Sequence, residues 1–182
     1  MKNKSWIIVL TIVGLIGILG IVQFNGLVNA EETVNSKWAQ VENNLKRRAD
    51  LIPNLVNTVK GFANQESKVL NEVTEARTGY SKAKTPKEFA SAEAQLKSAI
   101  NMVVESYPEL KSNQNFLALQ DELAGTENRL SVSRMDYNNA VESYNKQIKR
   151  FPKNIFSSIF GFKEKQYFEI TESDINNPQV KF

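Results

Sequence analysis

Neither cysteine nor histidine occurs anywhere in the 182 residues. Without cysteine the chain has no disulfide framework, no thiolate nucleophile, no Cys zinc site and no lipid-modified thiol. Without histidine it has no Ser–His–Asp triad, no imidazole base and no His metal cluster. Glycine (8) and proline (5) are scarce, which argues against an all-β chain built on turns. A formal charge of +3 is too small to argue for nucleic acid by itself. Hydrophobic residues at 41% and charged residues at 24% match ordinary globular usage, so general disorder is excluded.

What the chain does have begins at its amino end. Lys2 and Lys4 precede a stretch without charge from Ser5 to Ala30, densest from Trp6 to Val22. About twenty apolar residues span a ~30 Å hydrocarbon core, and this stretch reaches that length. Val28-Asn29-Ala30 before Glu31 would suit signal-peptide cleavage, but the apolar run exceeds the roughly 7–15 residues of such signals. A retained anchor over residues 1–30 is the expectation. Lys2 and Lys4 on the short side, against Glu31 and Glu32 on the other, place the amino end in the cytoplasm by the positive-inside rule.

From Val34 onward apolar residues recur at spacings of three and four, the period of an amphipathic helix. Val34, Trp38, Val41, Leu45, Ala49 and Ile52 form one stripe, continued by Val56, Val59, Ala63, Leu70 and Val73. Pro53 predicts a break or kink at 50–53, with Asp50 as N-cap of a helix beginning at Leu51. Because the stripe stays in phase, one bent helix is the alternative. Thr85-Pro86-Lys87-Glu88 reads as a cap, a first-turn proline and a capping-box glutamate. The helix it opens carries Phe89, Ala92, Leu96, Ile100 and Val103 and ends at Tyr107-Pro108. After Ser112-Asn113 the longest helix begins, with Phe116, Leu119, Leu123, Leu130, Tyr137, Val141, Tyr144 and Ile148 in its stripe, and ends at Phe151-Pro152. The tail beyond Ile170 is polar and reads as loose. The fold expected is all-α: an N-terminal transmembrane helix, then an antiparallel up-and-down four-helix bundle over 31–150, then an aromatic-rich segment and tail over 151–182.

Chemistry has few places to sit. Asp121, Glu122 and Glu127 share one helix, and Glu66 and Glu75 another, but di-metal bundles need a Glu-x-x-His that this chain cannot supply. Solvated helix faces explain these carboxylates. Lys46-Arg47-Arg48 lacks interleaved aromatics and reads as ion-pair partners for neighbouring helices. Glu66, Arg77, Thr126 and Ser133 fall on the apolar stripes and suggest a buried polar layer. The segment from Phe151 to Phe162, followed by Lys163, Lys165, Tyr167 and Phe168, would suit either a helix at a membrane interface or a cover over the end of the bundle.

Several blocks resemble the LemA family. They run from Phe24-Asn25-Gly26-Leu27-Val28 through Trp38-Ala39-Gln40-Val41-Glu42 to Arg47-Arg48-Ala49-Asp50-Leu51-Ile52-Pro53-Asn54-Leu55-Val56. Glu75-Ala76-Arg77, Tyr107-Pro108-Glu109-Leu110-Lys111 and Phe116-Leu117-Ala118-Leu119-Gln120-Asp121-Glu122-Leu123 follow in order. Gly125-Thr126-Glu127-Asn128-Arg129, Ser133-Arg134-Met135-Asp136-Tyr137-Asn138, Tyr144-Asn145 and Phe151-Pro152 complete the match. Phe24 stands where the family commonly has tyrosine. The resemblance implies a membrane-anchored protein with a helical up-and-down bundle, and it carries the anchor directly into the first motif. It brings no catalytic residues. It also implies an amino end outside the cell, opposite to the charge-based orientation.

The expected function is therefore a non-enzymatic, single-pass protein of the bacterial cytoplasmic membrane, its bulk on the extracytoplasmic side, acting as a scaffold or adaptor. An accessory or chaperone-like module for a membrane enzyme is the alternative. Expected partners are the lipid bilayer through the N-terminal helix, an unidentified membrane or envelope protein and, as an open option, further copies of the chain. No nucleic acid, cofactor, metal or catalytic residue is expected.

Overall fold

The computed structural model describes residues 2–61 and 67–169. These residues are helical throughout their ordered elements and contain no strand. The elements are α1 (Lys2–Ala49), α2 (Ile52–Lys60), α3 (Ser67–Lys82), α4 (Pro86–Ser106), a 3-10 turn (Pro108–Ser112), α5 (Gln114–Lys149) and α6 (Lys153–Phe160). Ala63, Glu66, the Leu70 side chain and the tail from Ile170 lie outside the described residues.

α1 spans 48 residues and so exceeds α5, with 36, as the longest helix. The apolar amino-terminal stretch accounts for the excess. Among the described residues it makes α1 the helix long and apolar enough to cross a membrane, and no residue of its most apolar 18-residue window is buried.

The break at 50–53 takes a different form from the one expected. Leu51, not Asp50, is the N-cap of α2; it makes no side-chain cap bond and sits at φ −81°, ψ −21°. The Leu51 N–H reaches back three residues to the Arg48 carbonyl at 3.1 Å, and Leu55 N–H donates to Leu51 O at 3.1 Å. The backbone thus stays in right-handed helical geometry and bends rather than reverses. Pro53 explains the bend, since it has no N–H for the Ala49 carbonyl and its ring crowds that oxygen. The buried stripe beyond the bend is Ile52, Leu55 and Val59, so Leu55 takes the place assigned to Val56. α3 then lies alongside α2 as well as α4, an approach that a helix continued end to end could not make.

Other boundaries follow their sequence signals. The Thr85 hydroxyl accepts from Glu88 N–H at 3.3 Å while the Glu88 carboxylate accepts from Thr85 N–H at 3.0 Å, a closed capping box with Pro86 in the first turn. The Lys84 N–H, which donates to the Glu88 carboxylate at 2.7 Å, and then the Thr85 N–H hold that carboxyl below its ordinary pKa. Asn113 Oδ1 accepts from Phe116 N–H at 3.0 Å and starts α5. All eight residues of the expected α5 stripe are buried.

Two compact units result. One comprises Met1–Trp38 with Tyr137–Gln166, the other Ala39–Asp136 with Tyr167–Phe182. Within the first, α6 folds onto α1, with Phe24 and Phe160 edge to face at 4.9 Å between centroids. Gly161, in the left-handed region at φ 79°, ends α6 and turns the chain back. The residues that follow strap onto α5. Tyr144 and Tyr137 hydroxyls donate to the carbonyls of Lys163 and Gln166 at 3.0 and 2.7 Å. The Asn145 amide closes a two-way pair with the Lys165 backbone at 2.9 Å. The second unit holds α2, α3 and α4 against the ends of α1 and α5. There Asn44 donates to Ser133 at 3.2 Å and Arg48 meets Glu127, so rising numbers on α1 meet falling numbers on α5.

Candidate functional site

The second unit buries charge. Arg48 on α1 and Glu93 on α4 are 5% and 6% exposed, and Glu127 and Arg134 on α5 complete a cluster of two cations and two anions. Each occupies a seam position among apolar neighbours: Arg48 between Leu45 and Ile52, Glu93 between Phe89 and Leu96, Glu127 between Leu123 and Leu130, Arg134 between Leu130 and Tyr137. Helix periodicity points Arg48, Glu93 and Arg134 inward, with Glu127 at the half-exposed rim, and burial is tolerable because each meets an opposite charge.

Arg48 Nη1 donates to Glu127 Oε2. Arg48 Nε lies 3.4 Å from Glu93 Oε1, and Arg134 Nη2 lies 3.3 Å from Glu93 Oε2. These last two contacts are close but poorly aligned, so Arg48 Nε, Arg134 Nη2 and Glu93 Oε1 form no hydrogen bond. Arg134 also stacks over the Phe168 ring, 4.7 Å from its centroid. Burial pushes the Glu93 carboxyl up to about 7, with Glu127 adding to the rise and Arg48 and Arg134 opposing it.

The cluster borders a cavity of about 370 Å³, walled on its other sides by Lys97, Asn101 and Gln120 and by the apolar Ile100, Leu123 and Ala124. A carboxyl poised near neutrality can exchange a proton there. Its walls offer neither a hydroxyl nor a thiol nucleophile. Among the described residues no group of three or more carboxylates is placed to hold a metal ion.

The carboxylates singled out in the sequence fare differently. Asp121, Glu122 and Glu75 are exposed, and Glu127, its side chain 44% exposed, keeps a solvated side while it pairs with Arg48. Thr126 and Ser133 are buried and donate to the Leu123 and Leu130 carbonyls at 2.8 and 3.0 Å, while Arg77 is exposed. Of the basic run, Arg47 pairs with Glu122 at 3.8 Å on the surface and Arg48 anchors the cluster. Glu93 and Arg134 were not picked out as site residues. Their signal was available: each stands four residues after one seam residue and three before the next.

The chain matches the LemA family over residues 37–182. It is 27% identical over 190 residues to magnetosome protein MamQ 2 of Paramagnetospirillum magneticum, covering 88% of this chain and 70% of the relative. It is 23% identical over 165 residues to Protein LemA of Metamycoplasma hominis, covering 84% of this chain and 75% of the relative.

Proposed function

The chain belongs to the LemA family, and from that we propose a membrane-anchored, non-enzymatic envelope protein of bacteria that scaffolds or adapts partners through its helical bundle. Residues 1–30 are the retained anchor, in a single pass, with the bulk on the extracytoplasmic side. The bundle is an antiparallel up-and-down arrangement of α1–α2, α3, α4 and α5. The side-by-side packing of α3 with α2 and α4, and the falling register of α5 against α1, support that topology.

The observation that carries the functional reading is how the buried charges are used. Arg48, Glu93, Glu127 and Arg134 are engaged with one another, and their cavity offers no hydroxyl or thiol nucleophile. Such a cluster ties helices together. The outer face of α5, by contrast, leaves Leu117, Val132 and Met135 exposed, which suits contact with a partner. An accessory module for a membrane enzyme would use the same face.

A photo-crosslinking amino acid at Val132 or Met135, activated in intact cells, tests the reading. Discrete adducts that disappear when the other position is changed to Lys support it. Absence of adducts from both positions counts against it. The second reading, a carboxylate hydrolase, is favoured by Glu93 alone; turnover of a generic ester that disappears in Glu93→Gln would select it.

A further inference from the structure

We propose that α6 is an interfacial helix, lying in the headgroup boundary of the same bilayer that α1 crosses. The proposal rests on the anchor reading above and adds a second membrane contact to it.

At about 1.5 Å per residue, Trp6 to Phe24 spans about 27 Å, close to the ~30 Å of a hydrocarbon core. Phe24 therefore marks the end of the span on the side of the bundle. α6 is fastened at that level. The Phe160 ring packs on Phe24, and the Phe156 ring lies over Gly20 so closely that a methyl group there would stand 3.4 Å from it. The Lys153 ammonium, 2.6 Å from Gln147 Oε1, sits beside Gly26.

The orientation of α6 about its own axis is equally fixed. Ser157 is buried and donates to the Ile148 carbonyl of α5 at 2.9 Å. At about 100° per residue, Ile155 and Ile159 straddle the direction directly opposite Ser157. They are 49% and 68% exposed, and Phe151 beyond them is 80% exposed. Together with Phe156 and Phe160 they make an apolar arc of about 140°, wide enough for one buried face of a helix. One flank of that arc meets α1, and the other, carrying Ile155 and Ile159, is largely exposed among the described residues. Arg150 and Lys163, both exposed, flank α6 in the chain with positive charge. An apolar stripe with basic residues on either side in the chain, held beside the end of a membrane span, fits the acyl–headgroup boundary with anionic lipid around it. The bond to Ile148 and the strap from Lys163 to Gln166 hold this face rigidly, so ordering costs little when it meets lipid.

Because the chain has no cysteine, single labels can be placed without removing native thiols. Full-length protein carrying a spin label at Asn154, Ile155, Ser158 or Ile159 would be reconstituted in phosphatidylcholine vesicles with a minority of phosphatidylglycerol. Relaxation by oxygen, which partitions into lipid, is compared with relaxation by a water-soluble nickel chelate. Leu15 reports on the anchor and Glu109 on water. The expected oxygen-to-nickel ratio at Ile155 and Ile159 is several-fold above that at Asn154 and Ser158 and approaches that at Leu15. Ratios at Ile155 and Ile159 equal to Glu109, with Leu15 still lipid-exposed, overturn the proposal and leave the anchor standing. A water-exposed Leu15 overturns both. Low access to both reagents with dipolar broadening would mean that a second copy covers the face, and this also overturns it.

Discussion

Glu31, the first charged residue after the apolar stretch, pairs with Lys165 at 2.6 Å. The contact joins the start of the polar part of α1 to the strap that follows α6. It also bears on processing, because the Val28-Asn29-Ala30 sequence lies inside continuous helix, with Leu27 fully buried.

A peptidase would have to unwind that packed helix to cut after Ala30. Mass spectrometry of protein extracted from membranes should therefore recover a chain that still contains Trp6 to Val22. A mature amino end at Glu31 would refute the retained anchor.

Glu93 makes stability depend on pH. Below its ordinary 4.5 it is protonated whether the chain is folded or not. Between 4.5 and about 7 the folded chain keeps a proton that the unfolded chain releases. The stabilising contribution is thus full below 4.5 and lost as pH rises through about 7. Arg48, Arg134 and Glu127 face the carboxyl and Lys97 lines the same cavity, and of these the arginines limit the size of the effect. Thermal melts across that range should show a falling Tm for the native chain and a flatter profile for Glu93→Gln. Identical slopes would contradict the assignment.

The cluster should behave as a unit. Removing one member of a buried ion pair typically costs about 3–5 kcal/mol, since the other is left uncompensated. Arg48→Met is expected in that range. Combined with Glu93→Leu, the total should fall short of the two single costs by about 1–3 kcal/mol in urea titrations. Simple additivity would show that the two residues act independently.

Core packing predicts a graded series on α5. Leu130 is fully buried, and Leu130→Ala should cost about 2–5 kcal/mol. Leu123→Ala should fall at the lower end of that range, because Leu123 already borders the cavity and has fewer neighbours to lose. Lys146→Ala, at an exposed site paired with Glu142, should stay within about 0.5 kcal/mol. Denaturation of the full chain in detergent ranks the three, and a Lys146 effect as large as that of Leu130 would be inconsistent with the packing.

The parts legible in the sequence were those governed by local rules. Apolar spacing along one helix identified all eight buried residues of the α5 stripe, and the Thr85–Glu88 box named its own helix start. Pro53 announced a perturbation but not its kind, because a bend and a reversal share the same residue and differ only in tertiary packing. The charged cluster was harder to see. Arg48, Glu93 and Arg134 come from three helices, and what makes their burial affordable is pairing across long sequence separations. Composition suggests that such residues belong in water; only their seam positions say otherwise.

The cluster also constrains sliding. A shift of α1 along α5 by one helical turn, about 5.4 Å, would carry Arg48 out of reach of both Glu93 and Glu127. Apolar side chains can regain contact after such a step, since one leucine is replaced by another. Oppositely charged pairs cannot, because the next turn offers no matching partner. The four charges thus act as a shear pin within their unit: axial load on α1 meets a stop there, and its helices have one setting along their length rather than several.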